Sequence, residues 1–215
     1  MIMNGPLAGL ISDSSGNLYG TATYGGSGGA GTAFELTQSN GNWTETVLHS
    51  FNYSDGYSPT SSLIFGGLGN LYGTASGGGA KGLGTVYELS PLTGILTTLY
   101  NFQGAPDGSD PYGTMVFDKA GNLYGTTSYG GSGACKLGFG YPGCGTAFEL
   151  VPGAGGSWTE TLLYTFMGGS DGWLPQFGLV LDGSGNLYST TGLGGVNGAC
   201  GGNGCGVVFE IPAAH

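Results

Sequence analysis

Apolar and polar positions alternate over short stretches of this chain, and glycine-rich segments separate these stretches. Residues 71–74 and 85–89, for example, combine aliphatic, aromatic and threonine side chains, which is typical of β-strands. No segment has the 3.6-residue apolar period of an amphipathic helix. Gly-Asn pairs lie just before several of these stretches and predict tight turns, because both residues tolerate positive φ. The pattern therefore predicts an all-β fold of short strands.

The strand pattern recurs four times along the chain. Gly-Asn-Leu-Tyr-Gly-Thr begins at Gly16, Gly69 and Gly121, and Gly-Asn-Leu-Tyr-Ser-Thr begins at Gly185. A proline precedes each of these glycines by ten positions. Two further blocks follow in register, one of the type Thr-Ala-Phe-Glu-Leu and one that ends in phenylalanine. The sequence therefore predicts four repeats, each with four antiparallel strands, at residues 6–55, 56–107, 108–171 and 172–215.

Both faces of the predicted sheets carry apolar or neutral residues, so each sheet needs a neighbour on each side. Radial stacking would cover both faces and leave only short edges. We therefore expect one β-propeller domain over residues 1–215, with four four-stranded blades, the last of which lacks its outer strand. A β-solenoid is the alternative. The sequence leaves open whether four blades close alone, form part of a larger ring, or assemble from two chains.

Composition excludes several classes of protein. The chain contains 50 glycines, but 39% hydrophobic and 12% aromatic residues argue against disorder. The chain has a net charge of −10, with three lysines and no arginine. It therefore lacks the basic surface that nucleic-acid binding requires. No apolar run approaches the ~20 residues of a membrane span, so we expect no membrane insertion. The first residues do not resemble a signal peptide.

Four cysteines occur in two pairs, and each pair lies in an extended glycine loop. These loops of the third and fourth repeats are longer than those of the first two by 9 and 6 residues. A pair that arrives with a loop insertion predicts a local disulfide, here Cys135–Cys144 and Cys200–Cys205, and hence an oxidising compartment. The alternative is a zinc site of four cysteines, for which these spacings are poor.

The combined motifs resemble a known family. Asp-Gly-x-x-Pro, Gly-Asn-Leu-Tyr-Gly-Thr, Gly-Thr-(Ala/Val)-(Phe/Tyr)-Glu-Leu and Trp-Thr-Glu-Thr-x-Leu-x-x-Phe are similar to the choice-of-anchor tandem repeat, or GloVer, family. The resemblance covers nearly the whole chain. It implies a bacterial extracellular or cell-surface protein built from propeller-like repeats, and it implies no particular activity.

Aromatic and acidic residues gather in the loops that we expect on one face of the propeller. An acidic-to-neutral surface with exposed aromatic rings could stack sugar rings and bind their hydroxyl groups. The predicted glycan-binding residues are Tyr24, Tyr57, Tyr112, Tyr129, Trp173, Asp55, Asp107 and Asp171, with Tyr53 and Tyr141 nearby. The alternative is that the aromatic side chains pack between the sheets.

The repeated carboxylates have simpler interpretations than catalysis. The Asp-Gly aspartates and Asp13, Asp118 and Asp182 are expected to close turns, with Ca²⁺ binding as the alternative for the first group. A hydrogen bond between blades is expected for the register occupied by Glu35, Glu88, Glu149 and Glu210. Glu45 and Glu160 are expected to be solvated.

Catalytic signals are weak. His49 and His215 are the only histidines, and we find no nucleophile elbow or phosphate loop. We expect no metal and no cofactor apart from the Ca²⁺ alternative. The sequence therefore favours a non-enzymatic extracellular binding or structural module with a glycan as partner. The alternatives are a glycosidase or lyase that uses loop carboxylates, and a self-assembling homo-oligomer that exchanges a strand.

Overall fold

A computed structural model describes residues 5–136, 141–195 and 203–213 of the chain. These residues form antiparallel β-strands joined by turns, with single 3-10 turns at Ala154–Gly156 and Gly169–Asp171. The strands pair into four antiparallel sheets. The predicted all-β class and antiparallel sheets are therefore confirmed. Within the described ranges, no helix is long and apolar enough to cross a membrane.

The strands of each sheet pair in chain order. The first sheet contains β1 (Ile11–Ser12), β2 (Leu18–Ala22), β3 (Thr32–Ser39) and β4 (Asn42–Ser50). The second contains β5 (Ile64–Phe65), β6 (Leu71–Ala75), β7 (Thr85–Leu89) and β8 (Leu96–Asn101). The third contains β9 (Gly108–Pro111), β10 (Val116–Phe117), β11 (Leu123–Gly130), β12 (Thr146–Pro152) and β13 (Trp158–Thr165). The fourth contains β14 (Val180–Leu181), β15 (Leu187–Thr190) and β16 (Val208–Ile211).

The chain divides into two compact units, Met1–Asn101 and Phe102–His215. We call them unit 1 and unit 2. Unit 1 contains the first and second sheets, and unit 2 contains the third and fourth sheets. The boundary falls next to the second crossover, the segment that carries Asp107 between the second and third sheets.

The glycine of Leu-Tyr-Gly-Thr is required by the aromatic residue opposite it. The paired residues are Gly20 and Phe34, Gly73 and Tyr87, and Gly125 and Phe148. A Cβ on Gly20 would lie 2.8 Å from the Phe34 ring, and on Gly125 it would overlap the Phe148 ring. The glycine therefore lets a buried ring lie flat over the neighbouring strand. The fourth sheet has Ser189 at this register, opposite the half-buried Phe209.

A second set of aromatic residues packs consecutive parts of each unit together. The phenylalanines that follow the last strands of the first three sheets are fully buried. Their edge-to-face contacts are Phe51 with Tyr87 in unit 1, and Phe102 with Phe148 and Phe166 with Phe209 in unit 2. Their ring centroids are 5.0–5.2 Å apart, the spacing of favourable aromatic pairs.

One strand differs from the prediction of four strands per repeat. The Asp-Gly-x-x-Pro segment of the second crossover forms β9, which pairs with the end of β11 and makes the third sheet five-stranded. The corresponding residues of the other crossovers make single bridges, Tyr57 with Gly77 and Trp173 with Leu193. Backbone pairing thus ties each crossover to the sheet that follows it.

Candidate functional site

Each crossover is closed by its Asp-Gly aspartate. The carboxylate accepts the backbone N–H of the residue after the buried phenylalanine, which turns the chain sharply at the end of the strand. The three bonds run from Asn52 to Asp55 (3.0 Å), from Gln103 to Asp107 (2.8 Å) and from Met167 to Asp171 (2.9 Å). The predicted turn role is therefore confirmed. The described residues contain no group of three or more His, Cys, Asp or Glu side chains placed to hold a metal ion.

The first crossover lies between two glycine loops of unit 1. Phe51 N–H donates to Gly31 in the loop of the first sheet (3.0 Å), and Gly79 in the loop of the second sheet donates to Tyr53 (2.7 Å). Pro59 packs against Gly31, where no Cβ would fit. Residues 24–31, 52–58 and 76–84 therefore form one surface, which we call the loop surface of unit 1.

Two tyrosines of this surface form a stacked pair, which we call the tyrosine platform. The rings of Tyr53 and Tyr57 are 5.2 Å apart and nearly parallel, at 13°. Tyr57 is held by two backbone bonds with Gly77 (2.8 and 3.0 Å), and its ring lies over that glycine. Tyr53 lies outside it and is 55% exposed. The platform therefore presents a fixed aromatic surface to solvent.

The backbone of Tyr53 is in a conformation that favours glycine. Its φ is +67°, and the equivalent residues of the other two crossovers are Gly104 (+79°) and Gly168 (+80°). A tyrosine in this left-handed conformation costs about 1 kcal/mol relative to its usual backbone. The first crossover thus keeps an exposed aromatic side chain where the fold itself favours glycine.

Polar groups lie around the platform. His49 Nε2 lies 3.0 Å from Asp55 Oδ2, and this carboxylate also accepts a hydrogen bond from Asn52 Nδ2 (3.0 Å). Ser54 donates both its N–H and its hydroxyl to Asn52 Oδ1. Asn52 and Ser54 are exposed. The site therefore combines an aromatic face, which can stack against a ring, with ordered amide and hydroxyl groups that can form hydrogen bonds.

The other predicted aromatic residues lie in different environments. Tyr24 belongs to the loop surface of unit 1 and is half exposed. Tyr129 packs at a tilt against the exposed Tyr141 in unit 2, with ring centroids 5.8 Å apart, and Tyr112 is partly buried. Trp173 is only 9% exposed and packs with Cys144 and Phe166. The burial of Trp173 supports the packing alternative at this position.

The cysteine prediction is confirmed where the structure describes it. Cys135 and Cys144 form a disulfide, so the zinc alternative is wrong for this pair. Cys205 is disulfide-bonded, and Cys200, its predicted partner, lies outside the described residues. The disulfide is typical of proteins from an oxidising compartment.

The prediction that the repeated glutamates bond between blades is wrong. Each glutamate accepts a hydrogen bond from the tyrosine directly opposite it in the same sheet, because the two side chains share one face of the ladder. The donors and acceptors are Tyr19 and Glu35 (2.9 Å), Tyr72 and Glu88 (2.8 Å), Tyr124 and Glu149 (2.7 Å), and Tyr188 and Glu210 (3.0 Å). Burial, together with the bond to Glu35, raises the pKa of Tyr19 above its usual range.

The aspartates before the Gly-Asn turn close that turn, as predicted. Asp182 accepts the backbone N–H groups of Asn186 and Ser184 (both 2.8 Å), and these bonds, that of Asn186 most of all, lower its pKa. Asp13 and Asp118 make the same pattern of bonds. The second repeat has Gly66 instead, where the Tyr72 ring occupies the space of a side chain.

The expected solvation of Glu45 and Glu160 holds only in part, because both side chains are partly buried. In each, the Oε1 oxygen is buried and has no hydrogen-bond partner. Burial, followed by the charge of Asp107, raises the pKa of Glu160 to about 7. The second sheet has Leu96 at the equivalent position on its outer strand, packed against the core. Side chains at this register are therefore partly shielded from solvent.

Sequence reasoning placed Tyr53 among the loop aromatic residues but missed its stacking on Tyr57, and it missed the pairing of His49 with Asp55. Comparison of equivalent positions could have found both residues. Tyr53 lies two positions after the buried phenylalanine, where the other two crossovers have glycine. His49 occupies the position of Tyr164, whose hydroxyl donates to Asp171 (3.2 Å), just as His49 pairs with Asp55. His49 and Tyr164 therefore contact the aspartates of their own crossovers in the same way.

The Gloeobacter/Verrucomicrobia repeat model matches residues 3–137. No curated protein sequence matches the chain.

Three solved structures are similar over most of this chain at low identity. A bifunctional GH43-CE protein of Bacteroides eggerthii is 15% identical with a TM-score of 0.43, over 94% of this chain and 24% of that one. CoXyl43, a GH43 β-xylosidase/α-arabinofuranosidase from a compost microbial metagenome, is 13% identical with a TM-score of 0.46, over 96% and 72%. An exo-1,5-α-L-arabinanase from a bovine ruminal metagenomic library is 12% identical with a TM-score of 0.42, over 94% and 71%. The chain thus spans about a quarter of the first protein's length.

Proposed function

This chain belongs to the Gloeobacter/Verrucomicrobia repeat family, and we propose that it is an extracellular binding module that recognises a neutral glycan on the loop surface of unit 1. The observation that carries the proposal is the tyrosine platform, with an exposed Tyr53 in a glycine-favouring conformation. In this proposal each sheet acts as a propeller blade, and the loops of unit 1 form the binding surface. The Cys135–Cys144 disulfide supports a location outside the cytoplasm.

The strained backbone of Tyr53 supports a role in binding rather than in folding. Strained residues cluster at binding sites, where the surrounding structure holds them in place. Packing does not explain this side chain, because more than half of it faces solvent. Its ring instead extends the aromatic surface that the fixed Tyr57 begins.

The polar surroundings support a carbohydrate as the ligand class. A sugar ring can lie on an aromatic face through its C–H groups while its hydroxyls bond to nearby amide and hydroxyl groups. Asn52 and Ser54 are exposed and oriented by their own hydrogen bonds, so little entropy is lost when they bind. The net charge of −10 disfavours polyanionic ligands and favours a neutral glycan.

A glycan array followed by titration calorimetry tests this proposal. The protein would be screened against neutral gluco-, xylo-, manno- and galacto-oligosaccharides, and the strongest hit titrated with Tyr53→Ala and Tyr57→Ala. We expect either substitution to weaken binding by about 1.4 kcal/mol or more, at least roughly tenfold, because each removes a stacking ring. Trp43→Ala is the matched control, because Trp43 is an exposed aromatic at the opposite end of β4.

The outcomes separate the proposal from its alternatives. Binding that is weakened by both tyrosine substitutions and not by Trp43→Ala supports it. No binding to any oligosaccharide, or equal loss in all three variants, contradicts it. If chromatography detected hydrolysis of the bound oligosaccharide, that result would instead support the glycosidase alternative.

A further inference from the structure

The side chain that contacts the crossover aspartate differs between the repeats. His49 lies near the end of β4, where the equivalent residues of the second and third sheets are Tyr100 and Tyr164. Tyr164 donates its hydroxyl to Asp171 (3.2 Å), and His49 Nε2 lies 3.0 Å from Asp55 Oδ2. The first crossover therefore has a histidine in place of a tyrosine, and histidine is the side chain whose charge changes between about pH 5 and 8.

The pair of His49 and Asp55 is shielded from solvent. The His49 side chain is 18% exposed and that of Asp55 is 17% exposed. An ionised carboxylate only accepts hydrogen bonds, so His49 Nε2 carries the hydrogen of this pair. When the ring also gains a proton at Nδ1, the bond becomes charge-assisted and about twice as strong. Because little water surrounds the pair, solvent screens this gain only weakly.

Of the ionisable groups that the structure describes, Asp55 is the one in contact with His49. The His49 ring also packs edge-on against Phe51, with ring centroids 5.2 Å apart, and Ala33 lies opposite it on β3. The other ionisable side chains of β3, β4 and the loop surface of unit 1 are Tyr24, Glu35, Glu45, Tyr53, Tyr57 and Lys81. Within the described ranges, none of these six makes a hydrogen bond or an ion pair with His49. A change in the charge of His49 therefore acts on Asp55.

Asp55 is the centre of the turn that carries Tyr53. Its two carboxylate oxygens accept the backbone N–H and the side-chain amide of Asn52 (both 3.0 Å), and Thr85 Oγ1 donates to its backbone carbonyl (3.0 Å). Tyr53 follows Asn52 and donates its own N–H to Gly56 C=O (3.0 Å). A tyrosine at the left-handed φ of +67° persists only where the surrounding structure holds it. The bonds of Asp55 therefore help to keep Tyr53 in the tyrosine platform.

We propose that His49 is a positioning residue of the glycan site and that its protonation strengthens glycan binding; this inference rests on the function proposed above. A charged His49 holds Asp55 more firmly, so the turn adopts the conformation that forms the tyrosine platform in a larger fraction of molecules. The apparent affinity of a ligand rises with the fraction of molecules in the binding conformation. The affinity for a neutral glycan should therefore be higher below about pH 6 than above about pH 7.

Titration calorimetry at several pH values tests this proposal on the whole protein. The oligosaccharide selected by the array is neutral, so its own charge does not change between about pH 5.5 and 8. We expect the wild type to bind it at least about threefold more tightly at pH 5.5 than at pH 8.

Two substitutions of His49 separate the charge of the ring from its hydrogen bond. His49→Tyr introduces the hydroxyl that Tyr164 offers to Asp171, and its affinity should not depend on pH, because this hydroxyl stays neutral in the range. His49→Phe keeps an aromatic ring beside Phe51 but has no donor for Asp55. It should bind at least about threefold more weakly than His49→Tyr at both pH values.

Tyr164→His is the matched control, because it introduces a histidine beside the crossover aspartate of unit 2. Added to His49→Tyr, it should leave the affinity independent of pH, and circular dichroism at both pH values checks that each variant is folded. Affinity that rises toward acidic pH in the wild type and stays constant in His49→Tyr supports the proposal. Equal affinity of the wild type at both pH values, or the same pH dependence in His49→Tyr, overturns it while the glycan site stands. No binding at any pH contradicts both this proposal and the proposed function.

Discussion

The first and third crossovers share one backbone but expose different side chains. Both are closed by an aspartate, and both place the residue before proline at a left-handed φ of +57°, Ser58 in one and Leu174 in the other. Tyr57 and Trp173 occupy the same register and make the same bridge to the following sheet. Yet Tyr57 supports an exposed platform in unit 1, whereas Trp173 is buried in unit 2.

The loop beside each crossover accounts for this difference. In unit 2 the loop is longer and tied by the Cys135–Cys144 disulfide, and both cysteines pack in the cluster that covers Trp173. In unit 1 the shorter loop leaves the Tyr53 ring free. The repeat therefore sets the backbone of a crossover, and the neighbouring loop determines which aromatic residues remain available to a ligand.

The largest difference in stability between the two crossovers is expected when Trp173 and Tyr57 are each replaced by alanine. Trp173→Ala should lower the free energy of unfolding of unit 2 by about 3–5 kcal/mol, because it empties a buried site. Tyr57→Ala should lower that of unit 1 much less, because its ring is only partly buried. Urea unfolding followed by circular dichroism measures both. Equal losses would show that the two crossovers do not differ in packing.

Removal of the disulfide should make the third crossover resemble the first. Cys135→Ser with Cys144→Ser opens a link between residues nine apart, which should cost about 2–3 kcal/mol. Trp173 should become more exposed, because its cover is released. With Trp43 and Trp158 replaced by Phe, the remaining emission should shift to the red. An unchanged emission maximum would mean that the disulfide does not keep Trp173 buried.

The free energy of unfolding of unit 2 should depend on pH through Glu160. The folded carboxyl keeps its proton up to about pH 7, whereas in the unfolded chain it ionises near pH 4.5. The folded state therefore binds more protons between these values, and the free energy of unfolding falls as pH rises through that window. Glu160→Gln should stabilise unit 2 by about 1 kcal/mol at pH 8, since solvent screens part of the full effect, and by nothing at pH 4.

Thermal unfolding of wild type and Glu160→Gln at several pH values measures this effect. The difference in stability should grow from pH 4.5 to 7 and then level off. A difference that is constant across pH would contradict a buried carboxyl at this position.

A smaller gain in stability is expected when the third crossover is given the asparagine that the first crossover has at the equivalent position. Asp55 receives a backbone and a side-chain bond from Asn52, whereas Met167 offers Asp171 only its backbone N–H and Asp171 Oδ1 remains unbonded. Met167→Asn should supply the missing donor and stabilise unit 2 by up to about 1 kcal/mol. Met167→Ser is the control, because it also replaces an exposed methionine. Equal unfolding midpoints for the two variants would contradict this explanation.

Local patterns predicted the sheets well because the repeat encodes them directly. Leu-Tyr-Gly-Thr and its partner block specify the ladder, because a glycine is needed opposite each buried ring. The family and the Cys135–Cys144 bond were also predicted from matched motifs and from a loop insertion.

Long-range packing was harder to predict. The partial burial of Glu160 depends on what packs against its strand, and periodicity does not give that information. Trp173 and Tyr57 have the same register. Only the fold of the neighbouring loop shows that Trp173 is buried while Tyr57 supports an exposed ring. Tyr53 was detectable in principle, because its counterparts are Gly104 and Gly168.

The most direct measurement compares Tyr53→Gly with wild type in both stability and glycan binding. Glycine fits the left-handed backbone, so the variant should not be less stable than wild type. Its free energy of unfolding should be higher by zero to about 1 kcal/mol. Without the outer ring of the platform, its affinity for the oligosaccharide selected by the array should fall at least about tenfold. A stable variant that binds the oligosaccharide as tightly as wild type would contradict the account.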